Sequence, residues 1–166
     1  MSRDVEQDSM SKIVGVVVRP LDRHSDDRGW LMELWRHDQL PRDFWPAMTY
    51  VSQTAPGVAR GPHEHVDQAD YFCFMGPGTF RLHLWDNRPY ATSYERYEAF
   101  ELGEDVPAAV IIPAGVVHAY QNISRGPGWV INCPNRLYRG EGYAEEVDEI
   151  RHEDDPDSPF QLGRAR

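Results

Sequence analysis

GVARGPHEHVDQAD, residues 57–70, is the stretch on which the reading of the chain turns. Gly57 is followed after five residues by His63, then by His65, and after four more by Asp70, which opens the apolar run YFCFM (71–75). In an extended strand side chains repeat every two residues, so His63 and His65 are expected on one face. Imidazoles and a carboxylate beside an apolar strand cost free energy to bury unless they serve a ligand or a metal. The segment therefore marks where a β-rich fold would keep its chemistry.

Outward from it, strand follows strand. KIVGVVVR (12–19), GWLMELWR (29–36), AMTYVSQ (47–53), ADYFCFM (69–75), TFRLHLWD (79–86), SYERYEAFEL (93–102), AAVIIP (108–113), VVHAYQNI (116–123) and GWVINC (128–133) are short and rich in β-branched and aromatic residues. Phe80, Leu82 and Leu84 alternate with Arg81, His83 and Trp85, the period of a strand with two different faces. The punctuators between runs, APG, MGPG, DNRP, PAG and RGPG, suit turns. FMGPG reads as a hairpin turn and not a phosphate loop, because no helix follows it. Only HDQLPRDF (37–44) and the acidic stretch after Tyr143 read as helical turns. Many short strands at turn-separated intervals predict an all-β sandwich or barrel.

The 166 residues suit one domain, with a core over about 12–138 and an acidic C-terminal segment over 139–166. A net charge of −10 argues against a nucleic-acid binder, which needs an excess of Lys and Arg. No apolar stretch approaches the ~20 residues that span a bilayer, and the polar start MSRDVEQDSMSK resembles no signal, so the expected location is cytoplasmic. The C-terminal YAEEVDEIRHEDDPDS (143–158) reads as a solvated surface. Cys73 and Cys133 lie in apolar runs and read as buried free thiols. His83 reads as a satisfied strand histidine, and His24, His37 and His152 as surface residues. Trp30, Trp35 and Trp85 suit core or interface.

A second block, PAGVVHAYQN, holds Pro113, Gly115, His118 and Asn122. His63, His65 and His118 with Asp70 would offer three nitrogens and one oxygen, a set that suits a divalent Zn, Fe, Mn or Ni ion. The same four could equally form a hydrogen-bonded polar cluster without metal. The two blocks together resemble the cupin superfamily, whose fold is the double-stranded β-helix or jelly roll. Asp70 stands where that pattern carries a glutamate, and the second block matches throughout.

A longer resemblance, over about 13–156, is carried by DDRGWLMELWR, GVARGPHEH, Gln68 and VIIPAGVVHAY. These segments resemble the dTDP-4-dehydrorhamnose 3,5-epimerase family. The resemblance implies that Arg28 and Arg60 bind a diphosphate, that Glu33 lines the nucleotide site, that His63 is the general base and that His118 sits beside the sugar. It places Asp70 at the family's lysine, Ile131 at its tyrosine acid, Tyr138 near a second family tyrosine, and leaves no counterpart to the aspartate that orients the base. Tyr50, Tyr120 and Tyr138 remain as proton donors.

The expected function is thus a nucleotide-sugar epimerase or isomerase acting on a 4-keto-6-deoxyhexose linked to dTDP or a similar nucleotide, without organic cofactor. Loss of the lysine and gain of His65 and Asp70 would suit a metal Lewis acid, in which case His63 serves either as ligand or as base. Two alternatives stand beside it: a metal-dependent cupin dioxygenase, isomerase or decarboxylase on another small molecule, and a catalytically inactive sugar-binding cupin. The resemblance also implies a homodimer, with strand 12–19 pairing across the two-fold axis.

Overall fold

In the computed structural model residues 9–162 are described. Among these residues thirteen antiparallel strands form two facing sheets and one separate hairpin. The first sheet runs in the order β1 (Ser9–Met10), β2 (Val17–Pro20), β10 (Ala108–Ile112), β7 (Asp70–Phe74), β12 (Gly128–Asn132) and β5 (Tyr50–Thr54). The second runs β13 (Ile150–Arg151), β6 (Ala59–Glu64), β11 (Val116–Asn122), β8 (Thr79–Asp86) and β9 (Tyr97–Gly103). The hairpin is β3 (Arg23–Asp26) with β4 (Gly29–Met32). This is the double-stranded β-helix of the cupins.

Alternation along the strands builds three apolar clusters. Phe72, Phe74, Val110, Ile112 and Val130 of the first sheet meet Phe80, Leu82, Leu84, Val116 and Tyr120 of the second, forming the core between them. Each such side chain, fully buried, contributes about 1.5–3 kcal/mol. The neighbours one residue away, Tyr71, Cys73, Ala109, Ile111 and Cys133, face outward under Leu21, Leu34, Leu40 and Phe44. Both cysteines are buried and free. On the far side of the second sheet, Trp85, Val117 and Ala119 are covered by Phe160. Phe80, Leu82 and Leu84 share an inward face, as their spacing predicts.

Several expectations are corrected. The run 12–19 forms a strand only from Val17, and β2 has β1 on one side and β10 on the other, so it is not free to pair across a two-fold axis. The run 29–36 is a strand only to Met32, paired in the hairpin. The 37–44 stretch gives one three-residue turn of 3-10 helix, His37–Gln39. The 59–64 segment, by contrast, is extended as expected at His63: it is a six-residue strand that ends at Glu64.

Two glycines of the motif blocks are required by close approach. Gly61 has φ 87°, and a Cβ there would lie 2.6 Å from the carbonyl oxygen of His118 and 2.9 Å from the nitrogen of His63. It lets β6 and β11 come together at the point where their register shifts. Gly115 has φ 77°, and a Cβ there would sit 2.6 Å from the Arg88 side chain. Asn122, fully buried at the end of β11, donates to the carbonyls of Thr54 and Gly126, each at 2.9 Å, and so ties the end of β5 and the turn after β11 to one strand end.

Candidate active site

A cavity of about 470 Å³ opens at one end of the inter-sheet space. At its base lie His65, Asp70 and His118, with one ligand-type atom from each within 4.8 Å of the others. Asp70 begins β7 with the inward phase of Phe72 and Phe74 and is 1% exposed. Its Oδ2 faces His65 Nε2 at 3.2 Å and His118 Nε2 at 3.4 Å. Its Oδ1 accepts from Asn132 Nδ2 at 2.8 Å and from Gln68 Nε2 at 3.0 Å.

The far nitrogens of both rings are anchored on backbone carbonyls. His118 Nδ1 donates to Val116 at 3.1 Å, and His65 Nδ1 donates to Asp148. Each Nε2 is thereby turned toward Asp70. Asp148 in turn fastens the loop after β6, its carboxylate accepting from the backbone N–H of Val66, Asp67 and Gln68 at 2.7, 2.9 and 2.8 Å. Burial alone would raise the Asp148 carboxyl, but those N–H donors outweigh it and hold it below the ordinary carboxylate range.

The electrostatics of the trio follow from its enclosure. Burial opposes a charge on His65, but the hydrogen bond and charge of Asp70, helped by Asp148, outweigh it and raise the imidazole to about 9. Burial dominates at His118 and lowers it to about 4. Burial also works against the Asp70 carboxylate, yet the two histidines and Asn132 hold it below its ordinary value.

The donor set fits a divalent cation. Metal bonds of about 2.0–2.2 Å at a tetrahedral angle put neighbouring donors about 3.3–3.6 Å apart, close to the 3.2 and 3.4 Å separations here. Backbone partners on both Nδ1 atoms are the outer-shell support that metal-bound imidazoles need. The buried His/Asp/His cluster is therefore capable of coordinating a metal ion.

His63 stands apart from this group. It faces His118 across the β6–β11 ladder with ring centroids 6.4 Å apart, but its Nε2 lies 2.6 Å from Glu153 Oε1 and 3.4 Å from Glu149 Oε1. The expected four-ligand set is thus a trio, with His63 engaged by carboxylates. Those carboxylates come from the segment read as solvated surface, which is corrected: β13 adds to the edge of β6 and residues 145–149 line the cavity. His152 is likewise no surface residue, since its Nε2 lies 2.8 Å from the buried Glu64. A carboxylate does stand beside His63, although the family's aspartate has no counterpart: Glu153, from a different sequence context. No local signal in the acidic run distinguishes Glu153 from its neighbours.

Arg60 and Tyr138 also line the cavity. Arg60 is held by Thr54 Oγ1 at 3.0 Å and the carbonyl of Gln53 at 2.8 Å. Tyr120 shares a 3.0 Å hydrogen bond with Ser52. Tyr50 accepts from Asn132 at 3.0 Å, and burial pushes its hydroxyl up to about 12. Ile131 packs in the outer cluster while Asn132 turns inward to Asp70, so the position assigned to the family's tyrosine acid is not a cavity position. Arg28 and Glu33 do not line this cavity. Arg28 is paired with Asp26 on the hairpin with its side chain 89% exposed, and Glu33 lies 3.7 Å from Arg36. His83, buried on the outer face of β8, bonds Tyr97 through Nδ1 at 2.8 Å, and its Nε2 has no partner among the described residues.

The chain was compared with known proteins. It is 33% identical over 138 residues to the Haloferax volcanii protein Agl13, named a probable low-salt glycan biosynthesis epimerase, covering 82% of this chain and 88% of that one. It is 34% identical over 126 residues to the spore coat polysaccharide biosynthesis protein SpsL of Bacillus subtilis, covering 76% and 82%. A crystal structure of a dTDP sugar isomerase from Desulfovibrio desulfuricans G20 superposes with a TM-score of 0.79 at 22% identity, over 93% of this chain and 94% of that one, which speaks for the fold. The dTDP-4-dehydrorhamnose 3,5-epimerase family matches residues 10–157, nearly the whole described length. The chain belongs to the dTDP-4-dehydrorhamnose 3,5-epimerase family.

Proposed function

We propose that this protein epimerises or isomerises a 4-keto-6-deoxyhexose carried on dTDP or a similar nucleotide, with His63 as the base. The observation that carries the reading is the 2.6 Å contact between His63 Nε2 and Glu153, at the wall of a cavity large enough for a sugar. A carbon next to a ketone is a weak acid. Neutral His63 takes the proton from that carbon, the C–H electron pair becomes a carbon–carbon double bond, and the keto oxygen becomes an enolate. Glu153 steadies the imidazolium so formed. A proton returned to the opposite face inverts the centre. Tyr138, Tyr120 and Tyr50 are the cavity hydroxyls for that step, and Tyr50, with its hydroxyl pushed up, stays protonated at neutral pH.

The enolate oxygen needs a positive partner. His65, Asp70 and His118 would hold a divalent Zn, Fe, Mn or Ni ion, which when bound supplies Lewis-acid stabilisation of that oxygen. Arg60 is the cavity's candidate for the diphosphate. Nuclear magnetic resonance in heavy water tests the reading: deuterium is expected to enter at C3 or C5 of a dTDP-4-keto-6-deoxyhexose. No incorporation with dTDP- and UDP-linked 4-keto sugars would remove the claim. The His/Asp/His trio favours one other reading, a metal-dependent enzyme on a different small molecule. Exchange that persists unchanged after chelation would weigh against it.

Arg28 and Glu33 support a homodimer reading, because they lie outside their own chain's cavity on or just after a hairpin that carries exposed Trp30 and Leu31. A partner's hairpin would bring an arginine to the nucleotide end of the neighbouring site. Sedimentation is expected to give twice the chain mass, and the pair Trp30→Asp with Leu31→Asp to give a folded monomer with weakened nucleotide binding. A monomeric wild-type protein with full activity would refute it. Among the described residues no helix is long and apolar enough to cross a membrane.

A further inference from the structure

The reading of His63 as a base leaves open what keeps Glu153 against it. β13 is a ladder of only two residues, with Ile150 opposite Glu64 and Arg151 opposite His63. So short a pairing is weak by itself. Glu153 also has a competitor for its carboxylate: Arg151 lies 2.8 Å from the same Oε1 that faces His63, and 3.4 Å from Glu149. Arg151 is half exposed, so an untethered Glu153 would pair with it in solvent and leave His63.

The tether lies on the other side of β6. His63 and Glu64 are consecutive and point to opposite faces. Glu64, 9% exposed, accepts from Asn87 Nδ2 at 3.2 and 3.0 Å and from His152 Nε2 at 2.8 Å. A buried carboxylate demands such partners. The His152 ring packs edge-on against Phe160 at 4.7 Å, and the backbone N–H of Asp155 closes the turn onto the His152 carbonyl at 3.2 Å. One turn, His152–Asp154, thus grips the strand from both sides, with His152 on the outer carboxylate and Glu153 on the inner imidazole.

We infer that Glu64 and His152 are positioning residues, a latch on the outer face of β6 that holds Glu153 on His63 and so fixes the base. With the latch closed, the His63 proton sits on Nε2 and Nδ1 carries the lone pair. The inference rests on the proposed role of His63, but its first test does not need a substrate.

Ring nitrogen–proton correlation spectra of His63 are to be recorded for the wild type and for His152→Ala, Glu64→Gln, Glu153→Gln and the double variant His152→Ala/Glu153→Gln. In the wild type one Nε2-protonated tautomer is expected. In His152→Ala and Glu64→Gln it is expected to give way to the mixture seen in Glu153→Gln. With an active substrate, His152→Ala is expected to lower kcat about 10–100-fold, the scale of a misplaced catalytic group, with KM changed less than about twofold and partial rescue by His152→Gln. The double variant should be no slower than Glu153→Gln alone, because the latch works only through Glu153. A wild-type His63 spectrum in both folded latch variants, or losses that multiply in the double variant, would overturn the latch. Should His152→Ala fail to fold, Glu64→Gln decides alone. If no sugar is turned over, the spectra still decide. If the spectra do not change while turnover proceeds, the latch falls and the base assignment stands.

Discussion

Glu153→Gln is expected to lower kcat by about 10²–10⁴-fold, the range contributed by general acid–base groups, with KM within a few-fold of the wild type. The glutamine keeps the size of the side chain at 2.6 Å from His63 Nε2 but removes the charge that stabilises the imidazolium. It can also turn its N–H₂ toward the ring and select the tautomer with the lone pair on the wrong nitrogen. His63→Asn is expected to fall in the same range, and the double variant to be no worse than either, as for groups that act as one unit. The measurement is the initial rate of deuterium incorporation at the sugar carbon, with nucleotide binding followed separately. Retention of more than about a tenth of the wild-type rate by Glu153→Gln would leave Glu153 a structural ion-pair partner. Glu149, 3.4 Å from the same nitrogen, is the nearest substitute, and Glu149→Gln separates the two carboxylates.

What the sequence reveals of this site follows from the range over which each contact acts. Alternation is local, and it correctly turns Phe80, Leu82 and Leu84 inward and brings Asp70 to the cavity in phase with Phe72 and Phe74. The two motif blocks bring His118 opposite His63 because β6 and β11 are ladder partners. The same-face rule for His63 and His65 holds, since both line the cavity beside His118, although the strand itself ends between them at Glu64. Beyond it Asp148 bends the loop and turns His65 toward Asp70, while His63 remains with the sheet edge. A one-residue shift in strand phase reverses faces, and this removes Ile131 from the cavity and gives the inner position to Asn132. The acidic tail was illegible for another reason. Glu153 meets His63 across 90 residues of chain, and its own neighbours are charged in every direction, so no periodicity marks it. Pairing along the edge of β6 decides which carboxylates of this segment meet His63.

Asp70→Asn is expected to destabilise the chelated protein by about 3–5 kcal/mol at neutral pH, the cost of leaving a buried charge without its partner. The reason is that Asp70, at 1% exposure, is the counter-ion that His65 faces at 3.2 Å, with His118 Nε2 3.4 Å from the same oxygen. The pH dependence gives a sharper signature. His65 is raised from 6.5 to about 9, so its contribution is complete below pH 6.5 and is lost as pH rises toward 9. His118 is lowered from 6.5 to about 4, so below pH 6.5 the unfolded chain gains a proton that the fold refuses, and stability falls toward pH 4. Asp70, held below 3.8, adds a further loss at lower pH still. Each histidine arm is worth about 3 kcal/mol at its limit, and together they place the stability maximum of the chelated protein near pH 6.5. Asp70→Asn removes the alkaline arm, because the charge that raises His65 is gone. A divalent ion reshapes the curve differently: it needs both Nε2 atoms unprotonated, so loading abolishes the alkaline arm and steepens the acid one. Urea unfolding at about pH 5, 6.5 and 8.5, with chelator and with added Zn or Mn, checks all of this. If the chelated wild type loses no more stability between pH 6.5 and 8.5 than Asp70→Asn does, the buried His65–Asp70 ion pair is disproved. If added metal leaves the curve unchanged, the trio does not hold one.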